Sequence, residues 1–384
     1  MCNFIYPVFY YTDNPTISLF QFNFNEKVIN KSTALAFLGY CFYILFSSDY
    51  NNKTTVNRNM AKRYEISEKV FLSIMGLSFF FFLGFYFTGG FSKLVQVYQG
   101  NGSMDEVTSS SYLSILFDCC TLLVASLVFI VNSNRFRVIG LFYLALVVML
   151  YLLTGSRGTS ISILLILLVG YSKYIKEINS LVFYIGIISG AIFMYIVSIF
   201  RVMRGEYSDS VAEVSSQFKS IFDPFLDIII NNRNLYVLVD FVDEHSSVYF
   251  LNIFASVIGV MPGLSFFLNY FSTPDFIISG RLSTYLQFGN NPPFGLGTNM
   301  VGEAYLSFGL VGVILVFSLL GGFVRYLRFS SNFYSNLILI LLTGFAIFLV
   351  RSDYLFFFFF LTWSLLIFYI VTMILASYTK KRGR

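Results

Sequence analysis

A chain of 384 residues with 57% hydrophobic and only 12% charged side chains, and a mean hydropathy of +0.73, is not built to be soluble, because soluble domains carry about 25% charged residues. Composition and repeated apolar runs predict an all-α polytopic integral membrane protein, read as one membrane domain over residues 1–384. The formal net charge of +5 is then assigned to basic loops that set orientation, with no nucleic-acid partner implied.

In chain order, apolar runs able to cross a hydrocarbon core of ~30 Å start with a doubtful one, Phe4–Phe20. Ser32–Phe46, Val70–Phe87, Tyr112–Val131 and Val138–Leu153 follow, then Thr159–Ser172 and Leu181–Phe200. Leu306–Val324, Leu337–Val350 and Tyr354–Ala376 close the series. The Phe79–Phe82 and Phe356–Phe360 clusters read as lipid-facing bulk. Val248–Tyr270 is apolar but interrupted at Met261-Pro262-Gly263.

Basic residues give the orientation. Ser47–Lys69, the Arg135/Arg137 turn, Lys173/Lys176, Arg325/Arg328 and the Lys380–Arg384 tail alternate consistently and hold most of the 25 Lys and Arg. They are placed in the cytoplasm. Arg201 and Glu303 then both face outward, so the chain between them crosses an even number of times. The simplest solution makes 248–270 re-entrant, between a first large outer loop (201–247) and a second (271–305). A helix over Val211–Val242, carrying Asp227, Arg233 and Asp240, is expected to lie at the membrane interface. About ten spans result, twelve at most.

The four cysteines lack metal-ligand spacing and read as structural thiols, and a single histidine, His245, excludes a multi-His metal site. No cleavable signal pattern is expected at the N-terminus, where Asp13, Asn14 and Pro15 follow the first apolar run at once.

The stretch Gly280–Gly312 is turn-rich and polar in an otherwise oily chain, and is read as a loop running without a break into a helix. Basic residues left on the outer side gather near helix ends. Arg157 sits in Gly155-Ser156-Arg157-Gly158-Thr159, a glycine turn opening a helix, where backbone N–H groups and the dipole favour an anion. Arg201 and Arg204 share one helix face at i, i+3, Arg281 opens the polar stretch, and Arg351 lies between the last two spans. Guanidiniums so placed suit phosphate or pyrophosphate. The bland alternative is snorkelling or local pairing, Arg351 with Asp353 or Arg204 with Glu206. Glu303 offers either a proton acceptor at the membrane boundary or a carboxylate complementing a helix dipole. Asp240, Asp243, Glu244 and His245 form a cluster that either faces solvent or meets substrate, and Asp118 is an intramembrane charge.

Taken together, these features resemble the O-antigen polymerases, the Wzy-type oligosaccharide repeat-unit polymerases, which are related to O-antigen ligases and other C-type glycosyltransferases. The most specific piece is Gly295-Leu-Gly-Thr-Asn-Met-Val-Gly-Glu303-Ala-Tyr-Leu-Ser-Phe-Gly309, with the Gly-Ser-Arg-Gly turn and the Arg201/Arg204 pair. Elsewhere the likeness is one of hydropathy and loop order. The resemblance implies polymerisation of a surface polysaccharide on the periplasmic face of the bacterial inner membrane. A growing glycan on undecaprenyl pyrophosphate passes to the non-reducing-end hydroxyl of a new lipid-linked repeat unit. It implies no cofactor and no metal, and partners in a chain-length regulator and a flippase of the same pathway. Under it Arg157, Arg201 and Arg204 take the donor pyrophosphate, and Arg281 takes donor or acceptor phosphate. Glu303 acts as general base or acceptor-orienting group, the Asn290–Asn299 loop contacts sugar, and Asn299, Tyr305 and His245 are among the substrate-binding residues. The second outer loop lacks the histidine of related ligases, which favours polymerase over ligase. A lipid-linked oligosaccharide flippase or transporter is the rival of another class. It is disfavoured because the charges gather on one face and no internal repeat is evident.

Overall fold

The structure, a computed structural model, describes residues 25–48, 66–92, 111–154, 157–179, 181, 184–186, 190, 231–261, 278–289, 296–330 and 332–382. Among them the regular elements are helical, apart from an isolated bridge between Ile66 and Val131. In chain order they are α1 (Glu26–Ser47), α2 (Glu68–Phe87), α3 (Ser111–Leu127), α4 (Asn134–Thr154) and α5 (Arg157–Tyr174). After these come α6 (Asn232–His245), α7 (Leu251–Val260), α8 (Ser279–Phe288), α9 (Met300–Phe329), α10 (Phe333–Phe345) and α11 (Tyr354–Arg382). A 3₁₀ turn, Ala346–Val350, follows α10.

The protein is an all-α, multi-pass membrane protein. Five described helices are long and apolar enough to cross a bilayer: α1, α2, α4, α9 and the Phe358–Tyr378 part of α11. Tyr112–Leu127, Gly158–Tyr174, α7 and α10 are shorter apolar helices. The expected runs thus reappear as helices, with Phe4–Phe20 and most of Leu181–Phe200 outside the described residues. The expected break at Met261 coincides with the end of α7, and the continuation at 262–277 lies outside the description.

The fold divides into two compact units. The first comprises the described residues within Met1–Thr55, Phe225–Ser330 and Phe348–Phe359. Its spine is α9 laid along α1, with α6 packed on both and α8 packed on α6. Ile29, Leu35, Leu235, Leu238, Ala304, Leu306 and Val313 form the core. In lipid, helices associate through close packing and not through escape from water, so small residues sit where backbones approach. Gly321 is such a point, because a Cβ there would come 2.6 Å from the Tyr43 carbonyl oxygen of α1.

Three expectations are corrected in this unit. The Gly280–Gly312 stretch is not all loop: α8 occupies its start, and α9 begins at Met300, six residues before the expected Leu306. Nor is the helix unbroken. Phe308 and Gly309 have non-helical angles, with Gly309 at φ 59°, a conformation that glycine adopts without strain. Carbonyls near the break find other donors: the Val248 N–H reaches Leu306 at 2.9 Å, and the Ser307 hydroxyl reaches Glu303 O at 2.8 Å. Finally, the helix expected to lie on the membrane surface is α6 in its described part, and protein encloses its first eight residues. Asn232, Arg233 and Asn234 are buried with the apolar residues that follow, because polar groups on α8 and the 296–299 segment meet that end of the helix.

The second unit comprises the described residues within Val56–Pro224, Ser331–Ile347 and Phe360–Arg384. Here α3 packs on α2, α5 and α10, while α5 also packs on α4 and α10. Hydroxyls link its helices: Ser78 bonds Thr121 at 2.9 Å and Tyr143 at 2.7 Å. The intramembrane carboxylate Asp118 accepts a short hydrogen bond from the Tyr151 hydroxyl on α4. Phe79 and Phe80 are exposed as expected, but Phe82 turns inward onto Phe91 and Phe117.

If the α1–α9 approach holds the first unit together, Gly321→Ala lowers its stability by about 1–3 kcal/mol through overpacking. Gly322→Ala, where a Cβ meets nothing within 4 Å, causes no loss. Thermal unfolding of both variants in the same detergent checks this.

Candidate functional site

The site is assembled in the first unit from four pieces of chain. These are the start of α8 (Ser279, Gly280, Arg281), the segment 296–299, the first turn of α9, and the turn Arg351–Asp353 leading into α11. Asn299 caps α9, its side-chain oxygen accepting from the Val301 N–H at 2.9 Å. Its own carbonyl accepts from the Glu303 N–H at 2.8 Å. That winding carries Glu303 inward until it is only 1% exposed.

The buried carboxylate is then taken by another helix. Glu303 Oε2 accepts the Tyr354 N–H at 2.7 Å, one of the donors left unsatisfied at the start of α11. Asp353 caps the same helix, its Oδ1 accepting from the Phe356 N–H at 2.9 Å. Two carboxylates therefore share one helix N-terminus, where the dipole favours negative charge. The local pairing expected between Arg351 and Asp353 gives way to this cap. Burial raises the Asp353 carboxyl above the ordinary aspartate range.

Backbone contacts lock the remaining pieces. The Thr298 N–H donates to the Arg351 carbonyl at 3.0 Å. Gly297 has φ 76°, and a Cβ on it would fall 2.3 Å from that same carbonyl oxygen. Only a residue without a side chain fits there. A Cβ on Gly280 would lie 3.6 Å from Asp353 Oδ2 and 4.0 Å from the Gly297 carbonyl carbon. Arg281 and Arg351 are both exposed and flank these touching segments.

Behind the carboxylates lies an interior that is polar for a membrane protein. Asn234 Nδ2 donates to the Leu296 carbonyl at 2.9 Å, and Gln287 Nε2 donates to Asn234 Oδ1 at 2.9 Å. The Thr284 hydroxyl accepts from the Leu296 N–H at 3.1 Å. On the other side Asn252 Nδ2 reaches Ser307 Oγ at 2.8 Å. These amides and hydroxyls satisfy backbone groups of a segment that is neither helix nor strand.

The sequence-derived residues fall as follows. Glu303, Arg281, Asn299 and Tyr305 belong to this unit and lie at or next to the arrangement just described. The Tyr305 hydroxyl donates to Asp243 Oδ1 at 2.9 Å, and Lys31 Nζ bonds the same carboxylate at 2.6 Å while lying over the tyrosine ring. His245 ends α6, largely exposed, with its ring stacked on Phe241 at 4.8 Å. Arg157 is the first residue of α5, at a helix start as expected, in the second unit. Arg201, Arg204 and 290–295 lie outside the described residues. Among the described residues no three His, Cys, Asp or Glu side chains come together in a way that could hold a metal ion. Asn234, Gln287 and Lys31 have no place among the sequence-derived residues, and Asp353 entered there only as a pairing partner for Arg351. Only Asp353 carried a signal, an Asp directly before a long apolar run, which is the pattern of a helix cap.

A multi-pass helical membrane protein with a buried carboxylate framed by exposed arginines is the class that fold and site define. The particular family is given by comparison: residues 2–382 match the model of the O-antigen polysaccharide polymerase Wzy family. The chain belongs to that family, and hence to the membrane enzymes that polymerise polysaccharide from lipid-linked oligosaccharide repeat units. No curated protein and no solved structure gives a significant match.

The bond from Tyr354 to Glu303 predicts a graded response. Glu303→Gln keeps an acceptor for the buried N–H and stays near wild-type stability. Glu303→Leu strands that N–H and loses about 1–3 kcal/mol, as thermal unfolding in detergent will show.

Proposed function

We propose that the protein extends an O-antigen or similar surface glycan by one repeat unit per turnover. The growing chain leaves undecaprenyl pyrophosphate and is joined to the non-reducing-end hydroxyl of a new undecaprenyl-pyrophosphate-linked repeat unit. The reaction is placed at the periplasmic face of the bacterial inner membrane. The observation that carries this reading is the buried Glu303 carboxylate, held at a helix N-terminus where the adjoining segments also carry the exposed Arg281 and Arg351. Glycosyl transfer from a pyrophosphate needs both kinds of group: a carboxylate to orient or deprotonate the acceptor hydroxyl, and cations to stabilise the departing phosphate.

Arg157, Arg201 and Arg204 are assigned to the donor pyrophosphate, with the helix start at Arg157 adding its dipole. Arg281 binds donor or acceptor phosphate. Guanidiniums grip phosphate bidentately, so the leaving group is stabilised here without a metal. Asn299, Tyr305 and His245 are assigned to sugar recognition. For Asn299 this uses atoms other than the capping oxygen. The loops 201–247 and 271–305 are the outer surface that lipid-linked donor and acceptor meet, with 248–270 re-entrant between them. A flippase supplies the substrate and a chain-length regulator limits the product.

Lipopolysaccharide banding in a strain lacking the gene gives the test, with wild type, Arg157→Ala, Arg201→Ala and Glu303→Gln restored at matched membrane levels. The expected result is a single-repeat band in the deletion, a ladder with wild type, no ladder with Arg157→Ala or Arg201→Ala, and a ladder kept by Glu303→Gln, whose amide oxygen still accepts the Tyr354 N–H. Loss of all repeat-bearing lipopolysaccharide with lipid-linked polymer accumulating would make the protein a ligase. Lipid-linked single repeats stranded on the cytoplasmic face would make it a flippase.

A further inference from the structure

Resting on that reading, we infer that Asp353 accepts the proton of the acceptor hydroxyl, and that Glu303 positions the turn that presents it. Glu303 is ill placed for the proton itself. It is almost wholly enclosed, and its Oε2 is committed to the Tyr354 N–H. Asp353 differs in each respect. It is partly exposed, it uses Oδ1 for the Phe356 N–H, and its Oδ2 is turned toward Gly280. A Cβ at 280 would meet that oxygen at 3.6 Å, ordinary van der Waals distance, and Arg281, next in sequence to Gly280, is exposed, as is Arg351.

A second feature points to a ligand at the same place. The hydroxyl of Thr298 is fully buried yet makes no hydrogen bond among the described residues. Ser279, buried as well, turns its hydroxyl to the Glu303 carboxylate. Buried hydroxyls are normally satisfied, so the Thr298 hydroxyl, on the segment bonded to the Arg351 carbonyl, is a donor and acceptor for an incoming polar group. A sugar hydroxyl is such a group.

The step balances without a co-reactant. The acceptor oxygen forms a bond to the anomeric carbon of the donor glycan as the bond from that carbon to the phosphate oxygen breaks. Undecaprenyl pyrophosphate leaves with the bonding electron pair. The hydroxyl proton passes to Asp353 Oδ2 and then to water. Burial raises the affinity of Asp353 for that proton, which brings a carboxylate base nearer to working pH. Facing it are Glu303 on α9 and the N-terminus of α11, while Arg281 on α8 and Arg351 on its own turn are exposed on the adjoining segments.

The test uses the full-length protein in lipid nanodiscs with undecaprenyl-pyrophosphate-linked repeat units, comparing wild type with Asp353→Asn and Asp353→Ser. Both replacements still cap a helix, so the α11 start is preserved while the base is removed. The expected result is a fall in kcat of about 10²–10⁴-fold in both, with KM for the repeat unit within about threefold and melting temperature close to wild type. The acidic limb of the wild-type kcat profile, where a base must lose its proton, disappears in Asp353→Asn. Turnover above a tenth of wild type in either variant overturns the assignment, as does an effect confined to KM. If neither variant folds, the carboxylate is structural and the assignment is equally overturned. Absence of turnover by folded wild type would refute the proposed substrate and take this inference with it, whereas active variants beside an active wild type refute the inference alone.

Discussion

One hydrogen bond organises the first unit: the Tyr354 N–H held by the buried carboxylate of Glu303. A helix start leaves backbone donors without intrahelical partners, and in a protein with so little charge they are satisfied from within. Glu303 satisfies one and Asp353 another, so residues about fifty positions apart close around the same helix end. The rest of the site is consequence. Thr298 must reach the Arg351 carbonyl, and Gly297 must lie flat against it.

The same constraint explains why the interior behind the site is polar. Residues 296–299 enter α9 without regular structure, so their backbone groups need partners that helices elsewhere supply to themselves. Asn234 and Thr284 provide them, and Gln287 holds Asn234 in place. The break at Phe308–Gly309 repeats the problem further along α9, and there Val248, Ser307 and Asn252 answer it. Polar side chains are costly inside a membrane protein unless paired, and here they satisfy backbone groups that irregular segments leave open.

Much of this was legible in the chain. The apolar runs became helices close to their expected limits, because burial in lipid imposes a length that hydropathy reports directly. Gly295–Gly309 stood out in the sequence because glycines, an asparagine and a carboxylate are unusual together inside an oily chain. Two of the four described glycines with positive φ, Gly297 and Gly309, are in it. What misled was continuity. The stretch from Gly280 reads as one loop and one helix, yet it holds a short helix and a break, because Ser279–Phe288 packs on α6 and gains helical structure from that contact.

Class and family were therefore determined by sequence alone, through hydropathy, basic-loop alternation and one glycine-rich motif. Each depends on composition over short windows. Tertiary structure alone decided that Glu303 is enclosed and bonded to α11, that Asp353 caps that helix instead of pairing with Arg351, and that Lys31 and Tyr305 share Asp243. These contacts join residues tens to hundreds of positions apart, and a carboxylate looks the same in sequence whether it meets a backbone N–H, an arginine or water. Which partner it takes is settled only when helices pack and their unsatisfied ends must be met.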